Sequence, residues 1–272
     1  MSNTLEETLE TAAARSGQAA ISARHVGVTY QRRGQVTEAV QDTSFELPNG
    51  SWMSLLGPSG CGKSTLLRVL ADIVRPTEGA VLLSGRTPAQ ARAERAFALV
   101  SQQAAMLPWR RLRENVGLGL EVAGTDKRER ERRVEEVIDL VGLTGFERAY
   151  PHELSGGMKQ RAAIARALTL RPNLLLMDEP FGALDELTRE RLNFEVLRIL
   201  EETGAALVLV THSISEAVIL SDTVAVMSSR PGRIFHTETI PFGRMRSSAM
   251  RDDPRFARIE GVLRHKLMDE AS

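Results

Sequence analysis

The chain has 272 residues, with 35 Lys plus Arg against 35 Asp plus Glu and no formal net charge at pH 7. That balance excludes the broad basic field that draws DNA, RNA or an anionic membrane, so no nucleic-acid partner is expected and any membrane contact should run through protein. Apolar residues make up 42%, enough for a core; no apolar run reaches the roughly 18 to 20 residues that span a bilayer and the start of the chain lacks a signal-peptide stretch, so a cytoplasmic chain is expected.

In chain order, residues 1–20 are rich in Glu, Ala, Thr and Ser and read as a loose extension. Short β-rich runs at 26–30 and 80–83 predict an antiparallel β lobe over about 21–83. Inside it, the apolar run 52–56 is followed by Gly57-Pro58-Ser59-Gly60-Cys61-Gly62-Lys63-Ser64-Thr65 and then a helix-like stretch at 66–70. Strand, glycine loop and helix in that order are the context a phosphate-binding loop requires. The glycines let several N–H groups turn inward toward phosphate oxygens, and the helix beginning near Gly62 adds the positive end of its dipole. Lys63 supplies a point charge for the β- and γ-phosphates, and the Ser64 hydroxyl can sit on Mg²⁺. A bare glycine turn entering a helix would explain the glycines but not every position of the motif.

Cys61 is the only cysteine, which rules out an intramolecular disulfide or a cysteine-rich zinc site. Next to Lys63 and a helix N-terminus its thiol could be drawn toward thiolate; the plainer reading is a small residue that fits the loop.

The run 96–100 predicts a strand leading to Gln102, and residues from about 104 to 161 predict an inserted helical lobe. Its charged stretch 126–133 alternates in sign, and Glu129 with Arg133 and Arg132 with Glu136 form helical pairs, so it reads as a solvated helix face rather than a nucleic-acid patch. At Leu154-Ser155-Gly156-Gly157-Met158-Lys159-Gln160-Arg161 a second glycine-rich helix start occurs. One nucleotide held by the first loop has no need of it, which points to a site shared between two chains; a simple Ser-Gly helix cap is the alternative. The apolar run 174–177 ends in Asp178 and Glu179, the place where a parallel α/β sheet delivers ligand chemistry. Asp178 would hold Mg²⁺ through water and Glu179 would act as general base on the attacking water. The strand-like run 206–210 leads to Thr211 and His212, and residues 246–272 predict a C-terminal helical segment.

These motifs, in this order over about residues 21–241, resemble the ATP-binding subunits of ABC transporters. The resemblance implies an α/β fold: a P-loop NTPase core with a RecA-like parallel sheet, an antiparallel β lobe and an inserted α-helical lobe. It implies an ATPase in which Leu154 to Arg161 is the signature segment, with Ser155, Gly156 and Gly157 capping the γ-phosphate held by the other subunit; Met158 stands where Gln is usual, as is common in importers. It places Tyr30 against adenine with Val40 as a nearby apolar contact, although sheet packing would also suit both. By the same resemblance Gln102, with Gln103 as the neighbouring register, would be the Q-loop glutamine touching Mg²⁺ or water, Asp185 of the D-loop 181–185 would reach across the dimer seam, and His212 would meet the γ-phosphate. The implied partners are a second copy, two transmembrane permease subunits and, indirectly, a solute-binding protein, with Trp109 as an anchor for a permease helix at the cytoplasmic face of the inner membrane. Leu107-Pro108-Trp109, the stretch 178–185 and Ser-Arg-Pro-Gly-Arg-Ile at 229–234 resemble importers of the nitrate, sulfonate and taurine group; Ser213 and Ser215 depart from the Asp residues often found there. An exporter subunit, or a soluble ABC ATPase acting as a regulatory or nucleic-acid-associated switch, is the alternative, and the solute itself is not written in this chain.

Overall fold

Strands β1 (Ala19–Arg32) and β2 (Gln35–Pro48) form a long antiparallel ribbon whose register shifts between Ala23 and Thr29. His25 and Asp42 sit at positive φ there, as an extra residue in a bulged ladder requires. The computed structural model describes residues 19–270 apart from Arg33, Ala183 and Met245. Residues 1–18, nearly all of the expected extension, and Ala183 of the D-loop thus lie outside the described residues. β1 opens at Ala19, slightly before the expected start of the β lobe, because Ala20 and Ile21 are already buried.

The chain continues through β3 (Trp52–Leu56), α1 (Lys63–Leu70) and β4 (Glu78–Leu83). β4 pairs antiparallel with β1 and completes a three-stranded sheet in the order β2-β1-β4. Next come α2 (Pro88–Ala93), opened by a Thr87–Gln90 capping box, and β5 (Phe97–Val100). The inserted helices are α3 (Leu112–Val116), α4 (Leu118–Val122), α5 (Lys127–Leu140) and α6 (Gly156–Leu168), so this region runs on past the expected 161. Asp126 caps α5, and Glu129 pairs with Arg132 and Arg133 while Arg132 also reaches Glu136, the solvated charged face that the sequence predicts.

Then follow β6 (Leu174–Asp178), α7 (Glu186–Thr203), β7 (Ala206–Thr211), α8 (Ile214–Leu220), β8 (Thr223–Met227), β9 (Ile234–Thr239) and α9 (Pro254–Asp269). A six-stranded sheet takes the order β5-β6-β7-β3-β8-β9, parallel except for β9, which pairs antiparallel with β8 at the edge. β3, β6 and β7 are buried at every position, which is why they read as continuous apolar runs rather than alternating ones. Alternation still decides the side: Leu175 and Met177 face a core shared with the helical lobe, α7, α8 and α9, whereas Leu174 and Leu176 face one shared with α1 and the β lobe. Because β6, β7 and β3 are neighbours and parallel, their carboxyl ends meet at one edge, and that edge carries the site.

At the opposite edge Trp52 is fully buried, its indole N–H donating to Ala205 O at 3.1 Å and its ring covered by the Arg244 guanidinium at 4.1 Å. Arg246 donates to Ile219 O, Ser221 O and Asp222, which fastens the C-terminal segment to the sheet before α9 packs Phe256, Ile259 and Leu263 into the same core. Trp52→Ala is expected to cost about 3–5 kcal/mol, from lost burial plus the cavity left behind, measured as a fall in the urea midpoint at unchanged slope.

Candidate active site

The phosphate loop leaves β3 and enters α1 at Gly62, whose φ is 110° and where a Cβ would stand 2.4 Å from Ala39 O. Only glycine meets both demands, so the helix starts without a side-chain cap and its first N–H groups are left for an anion. Lys63 is 4% exposed, and its ammonium donates to Gly57 O at 2.7 Å and Pro58 O at 2.8 Å. It ties the two ends of the loop together from within. Cys61 is 2% exposed and packed, which fits the plainer of its two readings.

β6 brings Asp178 beside this loop, where its carboxylate accepts from the Ser64 hydroxyl at 2.7 Å. Burial pushes the Asp178 carboxyl up from its ordinary value, against the opposing effects of Ser64, Arg68 and Lys63. Such a group is stabilised when a cation sits on it. Ser64 and Asp178 stand together as hard oxygen donors of the kind Mg²⁺ selects, and the amide oxygen of Gln102 would be a third.

Glu179 follows at φ 44°, a left-handed conformation that costs a non-glycine residue of the order of 1 kcal/mol. Its N–H donates to Val210 O on β7, and its carbonyl accepts from Gly182 N, so backbone bonds on both sides hold the strain. The effect is to turn the carboxylate into the cavity. There Oε2 accepts from Gln102 Nε2 at 3.1 Å and lies 3.4 Å from His212 Nδ1. Gln102 comes from beyond β5 and His212 from the end of β7, so two distant segments converge on the carboxylate that follows β6.

His212 is positioned by its neighbours. Thr211 Oγ1 donates to Glu216 at 2.6 Å and accepts from Ser213 N, while Ser213 caps α8 by accepting from Glu216 N. Glu216 is buried, and burial pushes its carboxyl up, with Thr211 and Arg189 opposing. Arg189 in turn donates to Leu184 O, which links the segment after β6 to the segment after β7. In the sequence, residues 213–216 stand out only as a departure from related proteins; the signal they carry is an acid four residues past a histidine.

A cavity of about 710 Å³ opens over this edge, lined by Tyr30, Gln31, Gln35, Thr37, Ala39, Ser59, Gly60, Gly62, Lys63, Ser64, Thr65, Gln102, Glu179 and Arg230. Most of the expected loop residues, with Tyr30, Gln102 and Glu179, are therefore together. Asp178 lies beneath, reached through Ser64. Val40 does not line the cavity: it is fully buried in the β-lobe core, and Thr37 and Ala39 take the cavity side of β2 instead. The bulges in this ribbon decide which residue faces which way, and no alternation rule foretells them. Gln31, Gln35, Thr37, Ala39 and Arg230 were not expected here.

Ser155, Gly156, Gly157 and Asp185 stand apart from this cavity. Ser155 caps α6 by accepting from Met158 N, with Gly156 exposed beside it. Asp185 caps α7 through Thr188 N, and that bond holds its carboxyl below the usual range. The signature helix is also tethered to the Q-loop: buried Gln160 donates to Ser101 O, and Arg166 to Ala105 O.

Comparison with known proteins agrees with this geometry. The family profile described as ABC transporter matches residues 40–182. The taurine import ATP-binding protein of Roseobacter denitrificans is 45% identical over 77% of this chain and 77% of its own length. That of Pseudomonas aeruginosa strain UCBPP-PA14 is 40% identical over 92% of this chain and 97% of its own. The nitrate import ATP-binding protein NrtC of Synechococcus elongatus is 47% identical over 71% of this chain, which corresponds to 29% of that longer protein. Among solved structures, the dimeric post-hydrolysis state of the cassette MJ0796 bound to ADP and Pi superposes with a TM-score of 0.76 at 29% identity, over 82% of this chain and all of that one. The chain belongs to the ABC transporter family, as one of its ATP-binding cassettes.

Proposed function

We propose that the chain is the ATP-hydrolysing subunit of an importer, working as a dimer that couples MgATP binding and hydrolysis to solute uptake through permease subunits. The observation that carries this is the convergence of Gln102 and His212 on the Glu179 carboxylate at the mouth of the phosphate loop. Lys63 and the loop N–H groups bind the phosphates. Glu179 takes the proton of the attacking water, with Gln102 and His212 holding its carboxylate in place. Ser64, Asp178 and Gln102 would hold Mg²⁺, which when bound neutralises phosphate charge.

In this reading residues 21–245 are the ATPase unit, 246–272 buttress it, and the site of each copy is completed by Ser155, Gly156 and Gly157 of the other, with Asp185 at the seam. The exposed start of α6 supports it, since it presents unpaired N–H groups at a positive helix end away from the chain's own cavity. Closing the dimer draws the helical lobes inward, and α6 carries that motion to the Q-loop through Gln160 and Arg166.

The permease would dock at Trp109. Buried Asn115 shapes the turn beneath it, accepting from Leu107 N and donating to Leu107 O and Arg110 O, and leaves the indole 70% exposed. A groove of about 550 Å³ lies alongside, lined by Trp109, Arg110, Arg113, Glu114 and Glu121 among others. A helix inserted there would bury an aromatic anchor in a polar rim. Among the described residues no helix is long and apolar enough to cross a membrane, so this docking is what would hold the protein at the cytoplasmic face. The names of the relatives favour a solute of the taurine or nitrate type. Trp109→Ala should leave ATPase activity of the isolated subunit intact and weaken assembly with the permease by roughly 2 kcal/mol or more, read by co-purification from membranes. Normal assembly would remove Trp109 as the anchor.

A further inference from the structure

The turn that leaves β8 has no part in the mechanism above, yet it is keyed to the phosphate loop. Ser228 closes it, donating from N to Arg233 O and from Oγ to Pro231 O, and accepting from Arg233 N. Gly232 N donates to Ala39 O at 3.1 Å and Gly232 O accepts from Gln41 N at 2.9 Å, which joins the turn to β2. A Cβ on Gly232 would stand 1.9 Å from Cys61 O, and one on Gly57 would stand 2.8 Å from Met227 O. Loop and turn therefore touch backbone to backbone at two places. Contacts this close fix where residue 230 stands relative to the loop.

Arg230 uses that placement. Its Nη2 donates to Gly60 O at 3.0 Å, and the side chain lines the nucleotide cavity. A loop that turns its N–H groups toward phosphate turns carbonyls the other way, and Arg230 covers one of them as Lys63 covers two others. Among the described residues, two cations line the cavity. Lys63 is buried with its ammonium on the Gly57 and Pro58 carbonyls, whereas Arg230 is exposed and, among the described residues, forms no ion pair. Its guanidinium keeps several N–H donors beyond the one on Gly60, at the rim of a cavity suited to a polyanion.

We propose that Arg230 is a nucleotide-binding residue outside the loop and strand-end motifs, contacting the phosphate chain while it braces the loop at Gly60. This rests on reading the cavity as the ATP site. It gives the Arg-Pro-Gly stretch a chemical role: Pro231 and Gly232 shape a turn tight enough to meet the loop, and Arg230 delivers charge from it.

The test is titration of the intact protein with ATP, ADP and adenosine in the presence of Mg²⁺, for the wild type, Arg230→Ala and Arg230→Lys, with thermal unfolding of each protein without nucleotide as control. Arg230→Ala should weaken ATP and ADP about tenfold, the size of a lost charge-assisted hydrogen bond, and leave adenosine unchanged. Arg230→Lys should recover most of the loss. ATPase assays should show the change in KM rather than kcat. Wild-type affinity for ATP in Arg230→Ala, or an equal loss for ATP and adenosine, would overturn the proposal. If the wild type itself binds no nucleotide, the reading of the cavity falls, and this proposal with it.

Discussion

Glu179→Gln is expected to lower steady-state ATP turnover by about a hundredfold or more, the usual contribution of a positioned general base, while leaving ATP affinity near that of the wild type. The substitution is close to isosteric. The new amide still offers an oxygen to Gln102 and keeps its place beneath His212, and Lys63 and the loop are untouched. What it loses is the ability to take a proton. The left-handed backbone at Glu179 is held by Val210 O and Gly182 N rather than by the side chain, so the geometry should survive. Phosphate release and nucleotide titration on the same preparation separate the two effects. Near-normal turnover would remove Glu179 from the role of base.

Lys63→Ala is expected to act one step earlier, weakening MgATP binding by about a hundredfold or more. Its ammonium serves two purposes at once: it satisfies the carbonyls of Gly57 and Pro58 and gives the loop a positive charge. Alanine abandons both. Arginine should not rescue it, because the site is nearly closed and sized for a compact ammonium rather than a planar fork. Thermal unfolding without nucleotide should change far less than affinity, since α1 begins on Gly62, which does not depend on that charge. Unchanged affinity would show that the loop binds something other than phosphate. The two variants therefore predict opposite patterns, binding without turnover and loss of binding.

How far the sequence reached depends on the range of the signal. The phosphate loop and the acidic strand end are written in consecutive residues, and the buried parallel strands announce themselves as unbroken apolar runs. Contacts that join distant segments leave no such trace. The resemblance implies Val40 as an apolar contact beside the nucleotide, with sheet packing as the alternative, but bulges between Ala23 and Thr29 set the register of its ribbon and turn it into the core. Arg230 reaches Gly60 across 170 residues, and the only local hint was an Arg-Pro-Gly turn. Arg246 is legible in neither composition nor periodicity, since its role depends on three acceptors supplied by the end of α8 and the residues after it. The inserted helices were expected from 104 to 161, yet α6 continues to Leu168 because Ile164, Ala165 and Leu168 remain buried in the shared core.

In the proposed cycle each ATP is held between the phosphate loop of one copy and the signature helix of another, and the mass of Glu179→Gln in solution tests this most directly. Light scattering should show a monomer without nucleotide and a dimer with saturating MgATP. Adding Gly156→Asp should keep ATP binding and abolish the dimer, because a Cβ at Gly156 meets nothing within 4 Å among the described residues of its own chain while the new carboxylate would face phosphate in the other. A Glu179→Gln protein that binds ATP yet stays monomeric, or a double variant that dimerises as well as the single one, would contradict the shared site.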